Sequence, residues 1–208
     1  MFSGSGPCGE GAEIAFLVDS SGSIVRIYYE MEKTFVKEIV YKLGNKCAQL
    51  NAAVVLFSIS ASVQLTFSKK FNLDYFNYVI DSLVHERGWT RIDKALLLTA
   101  SSVFTALAGS RPRVPKIAIL ITDGKNTASP DTVPLSIASE PLKQKGVRIF
   151  AVGIGKAVAL QELLEITGRK EDVFLVNSFS SLLGEVDRLV TNIWWAIGKY
   201  RISVFFNI

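Results

Sequence analysis

Three oxygen-bearing side chains follow an unbroken apolar segment near the start of the chain. Residues 14–18 are apolar, Asp19 follows them directly, and Ser21 and Ser23 come at intervals of two residues. In an extended segment this spacing directs all three side chains to one side of the backbone. One carboxylate and two hydroxyls are ligands that a hard cation such as Mg²⁺ accepts. The alternative is a strand end followed by serines that cap the next helix.

A second carboxylate occupies an equivalent position later in the chain. The apolar segment 116–122 is followed by Asp123 and Gly124. In an open parallel sheet the carboxyl ends of neighbouring strands border one crevice, so Asp123 joins Asp19 if their strands adjoin. Thr90 lies in a polar loop just before a helical segment and offers a third source of oxygen. The alternatives are a simple turn at Asp123 and a helix N-cap at Thr90.

Composition limits the kind of protein that this chain can be. Its 208 residues are 49% hydrophobic and 20% charged, which is typical of one folded domain. The net charge of +4 is spread along the chain, so no nucleic-acid surface is predicted. The single histidine, His85, excludes a site built from several imidazoles and most His-activated nucleophiles. The body of the chain has no apolar run long enough to predict a membrane span.

Strands and helices alternate along almost the whole sequence. The predicted strands are 13–19, 50–58, 62–67, 116–122, 147–154 and 172–176, and the predicted helices are 23–43, 72–83, 92–107, 134–145, 159–167 and 180–197. This order predicts an α/β fold: a doubly wound, Rossmann-like open sheet, mostly parallel, with helices on both faces. The alternating segment 62–67 follows a very short connection, so it is predicted as one antiparallel edge strand.

The chain divides into three predicted parts. Residues 1–11 are small and polar and are predicted as a flexible leader without a visible signal peptide, and residues 12–195 form the domain. Residues 196–208 form a C-terminal tail that is apolar but interrupted by Lys199 and Arg201, so it is a poor membrane span.

The site residues and the apolar segments together resemble a known family. Asp19-x-Ser21-x-Ser23, Thr90 and the turn that contains Asp123 match, in order and approximate spacing, the three loops of the von Willebrand factor A domain family. The segments EIAFLVDSSGSI, AAVVLFS, TRIDKAL, KIAILITDGK, VRIFAVGIG and EDVFLVNSFSSL are similar to the successive core segments of that family. The resemblance covers residues 12–195.

The resemblance implies a metal-ion-dependent adhesion site. In this family the two serines and the threonine, here Ser21, Ser23 and Thr90, approach Mg²⁺ or Mn²⁺ directly or through water. The two aspartates, here Asp19 and Asp123, lie in the inner or outer shell. An open position would accept an Asp or Glu carboxylate of a partner protein. The implied protein is a non-enzymatic adhesion module of an extracellular matrix or cell-surface protein. Collagen is a possible ligand, although no inserted loop of the kind that forms a triple-helix groove is visible.

The threonine loop departs from the usual family pattern. Trp89 and Arg91 flank Thr90, and exposed Trp and Arg are typical of binding hot spots. Lys125 and Asn126 follow the second aspartate. These four residues are predicted to contact the partner. The alternatives are that Trp89 packs on neighbouring loops and that Lys125 and Asn126 are solvated.

Two cysteines are predicted to form a disulfide. Cys8 precedes the first strand, at the end of the sheet opposite the metal, and Cys47 follows the helix that returns to that end. A bridge favours an oxidising, extracellular location. The alternative is two unpaired thiols.

Three other functions compete with adhesion. One is an intracellular scaffold of the same fold, which the lack of a visible signal peptide would favour and a disulfide would oppose. Another is a structural matrix protein that acts by self-association. The third is an aspartyl-phosphate phosphotransferase, which usually needs a second acid two residues after the first, where this chain has Ser21. An enzyme is therefore not predicted.

Overall fold

The computed structural model describes residue 8, residues 11–68 and residues 70–206. The strands in this part of the chain are β1 (Ala12–Asp19), β2 (Leu50–Phe57), β3 (Ala61–Leu65), β4 (Lys116–Thr122), β5 (Val147–Ile154) and β6 (Val173–Val176). The α-helices are α1 (Arg26–Gly44), α2 (Leu73–Ser82), α3 (Ile92–Leu98), α4 (Leu135–Gln144), α5 (Leu160–Thr167), α6 (Phe179–Leu182) and α7 (Val186–Phe206).

The six strands form one sheet in the order β3-β2-β1-β4-β5-β6. All neighbouring pairs are parallel except β2 and β3, which pair antiparallel at the edge. The predicted fold class is therefore confirmed, including its antiparallel edge strand. β1 lies between β2 and β4, so Val18 pairs with Leu56 on one side and Ile121 on the other. This register brings the ends of β1 and β4 side by side.

Each face of the sheet packs on its own set of helices. Along β1, Ile14, Phe16 and Val18 contribute to one core with α1, α2, α6 and α7, and Ala15 and Leu17 contribute to the other with α3, α4 and α5. A strand covered on both faces needs apolar side chains at every position, which explains why the strand segments show no alternation.

Three helices differ from their predicted bounds. The last, predicted over 180–197, is divided into α6, a 3₁₀ turn (Leu183–Glu185) and α7, which runs to Phe206. α1 begins at Arg26 because the preceding residues turn through the candidate site, and Ile27, predicted on its apolar face, is exposed. The predicted helix 92–107 ends as α-helix at Leu98 and continues as a π-helical segment, Thr99–Val103. Lys145 Nζ donates to the carbonyl oxygens of Ala100 (2.7 Å) and Phe104 (3.0 Å), which satisfies backbone groups that the irregular end exposes.

The ends of the domain differ in how far they are described. Most of the predicted leader, 1–7 and 9–10, and the last two residues of the predicted tail lie outside the described residues. α7 continues without a break to Phe206, and Ala196 and Ile197 are buried in the core, so the predicted tail begins inside a packed helix. Among the described residues, no helix is long and apolar enough to cross a membrane.

The predicted disulfide between Cys8 and Cys47 is present. Their Cα atoms lie 5.3 Å apart, and both residues are buried beside the amino-terminal end of the sheet. The bridge closes a chain segment of 39 residues. It therefore ties the start of the domain to the end of α1, far from the carboxyl edge where the candidate site lies.

Replacing both cysteines with serine is expected to lower the free energy of unfolding by about 2–4 kcal/mol, because the unfolded chain gains the freedom that the bridge removes. Denaturant unfolding of the native chain and the double variant measures this loss. Reductant should destabilise the native chain and leave the variant unchanged. A double variant as stable as the oxidised native chain would contradict the expectation.

Candidate metal centre

Asp19 is held rigidly at the carboxyl end of β1. Its Oδ1 accepts the backbone N–H of Ser21 at 2.8 Å, and its Oδ2 accepts the hydroxyl of Thr122 at 2.6 Å. Thr122 is the last residue of β4, so the neighbouring strand fixes this carboxylate directly. Asp19 is fully buried, and each of its oxygens keeps lone-pair capacity beyond these bonds.

Two serines connect the first aspartate loop to the second aspartate. Ser21 Oγ lies 3.1 Å from Ser23 Oγ, and Ser23 Oγ donates to Asp123 Oδ1 at 2.6 Å. The Ser23–Asp123 bond joins residues 100 positions apart in the chain. The pairing of β1 with β4 makes this contact possible, since both loops leave the sheet at the same edge.

Backbone contacts bring Thr90 to the same edge. Gly22 N–H donates to the carbonyl of Gly88 at 2.8 Å, which draws the threonine loop against the serine loop. A Cβ on Gly22 would lie 2.9 Å from the carbonyl oxygen of Arg87, so this close approach needs glycine. On the other side, a Cβ on Gly124 would lie 3.4 Å from Thr90 Oγ1. All five predicted ligands thus lie in one cluster of three loops.

Burial makes the two aspartates unusually reluctant to ionise. Desolvation raises the pKa of Asp19 to about 6, although hydrogen bonds from Thr122 and Ser21 oppose the shift. Desolvation also raises the pKa of Asp123, against the hydrogen bond from Ser23. A divalent cation between these groups would favour their ionised forms. The positive charge of such a cation would offset the loss of hydration that raises both pKa values.

A third carboxylate, Glu32, lies behind the cluster, and sequence reasoning missed it. Its Oε1 accepts the backbone N–H of Asp19 at 3.3 Å, and its fully buried Oε2 has no hydrogen-bond partner within the described part of the chain. Burial, reinforced by the charge of Asp19, raises the pKa of Glu32 well above its ordinary value. Its spacing from Phe35, Val36 and Ile39, which are buried on the same helix, is the sequence signal that could have placed it in the core.

Other supporting residues were also absent from the sequence prediction. His85 Nε2 lies 3.0 Å from the carbonyl oxygen of Ser21, and its ring stacks on Tyr29 with centroids 4.7 Å apart. Ser58 Oγ accepts the Gly88 N–H at 2.8 Å. These contacts join distant loops and give no local sequence signal. They fix the serine and threonine loops relative to each other.

The four predicted partner contacts have different surroundings. Trp89 is 59% exposed, and Lys125 is exposed. Asn126 is half-buried, and its Oδ1 accepts the Asp93 N–H at 3.3 Å. Arg91 is 3% exposed and is bound to Asp93 and Asp131. Arg91 is therefore engaged inside the protein, and this burial removes it from the surface that a partner could touch.

The donor set suits a hard cation. It consists of two carboxylates and three hydroxyls, all oxygen, which is the ligand chemistry that Mg²⁺ and Mn²⁺ accept. Among the described residues, no group of three or more His, Cys, Asp and Glu side chains could hold a metal. The candidate cluster instead combines two carboxylates with three hydroxyls.

Fold and site together define an open-sheet α/β domain with an oxygen-ligand centre at the carboxyl edge of its parallel strands. The family model for the von Willebrand factor type A domain matches residues 13–188. The chain belongs to this family, and the resemblance in its sequence is thereby confirmed.

Relatives with similar sequences are matrix and cell-surface proteins. The human collagen alpha-6(VI) chain is 35% identical over 185 residues, covering 88% of this chain and 8% of that protein. Matrilin-1 of Gallus gallus is 32% identical over 162 residues, covering 78% of this chain and 32% of that protein. The chain therefore spans less than a third of either relative. With these relatives and its disulfide, the chain is extracellular.

A solved structure with a similar fold also comes from a matrix protein. Proximal thread matrix protein 1 from the mussel byssus superposes with a TM-score of 0.80 at 30% identity, covering 86% of this chain and 47% of that one. A further structure of that protein, with a TM-score of 0.78 and 31% identity, has a zinc-occupied metal-ion-dependent adhesion site. A divalent cation thus binds at this site in a protein of the same fold.

Proposed function

We propose that this chain is a non-enzymatic protein-binding module whose adhesion depends on a divalent cation. Asp19, Ser21, Ser23, Thr90 and Asp123 would hold Mg²⁺ or Mn²⁺, and a partner's Asp or Glu carboxylate would complete its coordination. The observation that carries the proposal is the convergence of these five oxygen donors from three loops, with Ser23 and Asp123 joined at 2.6 Å.

Charge accounts for the role of the partner. Two of the five ligands are carboxylates, so their charge equals that of one divalent cation in magnitude. The site has no further carboxylate ligand of its own for the cation. A cation that keeps an exchangeable position accepts a carboxylate from outside. Ser23 is exposed and Asp123 is half-buried, so this side of the cluster faces solvent. Trp89 and Lys125 lie beside it and would contact the same partner.

The family relationship indicates where the partner belongs. The relatives include collagen VI chains, a matrilin and integrin alpha-E, so we propose an extracellular matrix protein as the partner. Collagen remains one candidate among such proteins. Self-association of a structural matrix protein is the competing function, and sedimentation in Mg²⁺ and in chelator would detect it.

Replacing Thr90 with alanine is expected to weaken Mg²⁺ binding about tenfold or more, because it removes one oxygen ligand without changing the charge. Calorimetric titration of Mg²⁺ measures the effect, with Ser101→Ala as a control that removes an exposed hydroxyl on the π-helical segment. A panel of matrix proteins is tested in parallel, in Mg²⁺ and in chelator. Equal Mg²⁺ affinity in the native chain and the Thr90 variant would contradict the assignment of this ligand.

A further inference from the structure

One exposed basic side chain lies in, or directly after, each of the three loops with proposed metal ligands. Arg26 follows the last serine of the first loop by three residues, Arg87 precedes the threonine by three, and Lys125 follows the second aspartate by two. All three are exposed. Three exposed cations therefore lie within three residues of the proposed ligands in the sequence.

Arg87 is fixed especially closely to the site. Its backbone N–H donates to the carbonyl of Ser20 at 2.8 Å, and its own carbonyl lies against Gly22. Its φ of 59° is in the left-handed region, which a residue with a side chain adopts only when its surroundings hold it there. Its Nε lies 3.5 Å from His85 Nδ1. The backbone is anchored to the metal loop while the guanidinium remains exposed.

These cations are not balanced within their loops. A divalent cation would neutralise the two aspartates of the site, and the remaining acid in residues 20–26, 84–91 and 123–127 is Glu86. Glu162 of α5 also reaches this edge, because its Oε2 accepts the Asn126 N–H at 2.8 Å. The metal-loaded edge thus carries three exposed basic side chains against two acidic side chains, Glu86 and Glu162. Asp131, in the following loop, is committed to Arg91 at 2.7 Å and Lys94 at 3.1 Å. The surface around the metal would be positive.

An apolar surface lies beside these cations. Trp89 and Ile59 are both exposed, and Ile59 lies against Gly88, the residue that precedes Trp89. Trp is one of the residues enriched in binding hot spots, and the exposed Ile59 extends the apolar surface beside it. They would contact an apolar side chain of a segment whose acidic residues face the metal and the cations.

Resting on the proposed function, we infer that the partner segment is an acidic peptide. One carboxylate binds the cation, flanking carboxylates face Arg87 and Lys125, and one apolar side chain packs on Trp89 and Ile59. Complementary charge accelerates encounter and disfavours partners with basic flanks. The metal selects for a carboxylate, and the surrounding cations select for the sequence in which that carboxylate lies.

Two fluorescent peptides with the same central Leu-Glu pair test this inference: one has Asp and Glu flanks, and the other has Gly and Ser flanks. Anisotropy with the Mg²⁺-loaded protein should show the acidic peptide binding about tenfold tighter, with the difference shrinking as salt rises from about 50 to 200 mM. The double variant Arg87→Glu with Lys125→Glu should lose about tenfold in affinity for the acidic peptide. Lys170→Glu is the control, because Lys170 is exposed just before β6 at the opposite end of the sheet.

The outcomes separate this inference from the proposed function. Equal binding of the two peptides, no effect of the double variant, or no peptide binding by protein that still binds Mg²⁺ would overturn the acidic partner alone. Acidic-peptide binding that persists unchanged in chelator would overturn the proposed function as well. A heparin hexasaccharide that binds tighter than the acidic peptide, with an affinity that chelator does not change, would identify the surface as a polyanion site. That result would overturn the inference of an acidic peptide partner.

Discussion

Replacing Asp19 with asparagine is expected to stabilise the metal-free protein and to abolish its stabilisation by Mg²⁺. Burial raises the pKa of Asp19 from 3.8 to about 6 in the folded state. A folded-state pKa above the unfolded value contributes stability that is complete below about pH 4 and is lost as pH rises through 6. Two pKa units correspond to about 3 kcal/mol, which the ionised carboxylate costs at neutral pH without a cation.

Asparagine keeps the shape and removes that cost, so the expected gain in chelator is about 1–3 kcal/mol at pH 7. This range extends below the full cost of about 3 kcal/mol because the Thr122 hydroxyl, which donates to Asp19 Oδ2 at 2.6 Å, must reorient toward the new amide. In native protein, Mg²⁺ at a hundred times its Kd should add about 2.7 kcal/mol, and in the variant it should add nothing.

Denaturant unfolding from pH 4 to 8, in chelator and in saturating Mg²⁺, measures both effects. Asp187→Asn is the control, because Asp187 is an exposed carboxylate whose ion pair with Lys42 should contribute little. A variant that is less stable than the native chain in chelator, or one that Mg²⁺ still stabilises, would refute the assignment of Asp19 as a desolvated metal ligand.

The sheet, and the closeness of Asp19, Ser21 and Ser23, could be predicted from sequence because both depend on local patterns. A strand buried on both faces must be apolar throughout, and the central strands β1, β4 and β5 were found within one residue of their predicted bounds. Asp19, Ser21 and Ser23 share one loop and are spaced by two residues, so their proximity follows from chain geometry. The disulfide followed from topology, since Cys8 and Cys47 lie at the same end of the sheet.

Residues whose role depends on distant partners could not be predicted in this way. The helical spacing of Glu32 indicates a buried helix face, but its contact with the backbone of Asp19, thirteen residues earlier, is not visible in the sequence. Arg91 was predicted at the surface because it lies in a polar loop, whereas Asp131, forty residues later, helps to bury it. Sequence patterns indicate which face of an element is apolar, but they do not reveal which polar residue will form a hydrogen bond or an ion pair in the protein interior.

Breaking the buried ion pair of Arg91 and Asp93 is expected to lower the stability of the protein substantially. Arg91 Nε donates to Asp93 Oδ1 at 2.9 Å and Arg91 Nη2 to Oδ2 at 2.8 Å, a bidentate pair with both side chains buried. Burial alone would raise the pKa of Asp93, but hydrogen bonds from Arg91 and from the Val133 N–H outweigh it and leave the pKa below its ordinary value. The pair therefore joins the start of α3 to the loop that precedes α4.

Replacing Arg91 with alanine is expected to lower the free energy of unfolding by about 3–5 kcal/mol, because Asp93 remains buried without its partner. The surface variant Arg169→Ala, which loses an exposed pair with Glu171 at 3.6 Å, should cost less than about 1 kcal/mol. Since the pKa of Asp93 is depressed in the folded state, the pair's contribution is complete above the unfolded pKa of 3.8 and is lost as pH falls below it. The difference in free energy of unfolding between the two variants should therefore become smaller in acid.

The same variant distinguishes a structural role from a partner contact. Arg91 directly follows Thr90, so losing the pair should loosen the threonine loop and weaken Mg²⁺ binding along with stability. The double variant Arg91→Leu with Asp93→Leu removes both buried charges and should recover much of the lost stability, since apolar replacements of a buried pair are often neutral or better. If Arg91→Ala instead left stability and Mg²⁺ affinity unchanged and reduced only partner binding, the buried pair would be unimportant and Arg91 would act at the surface.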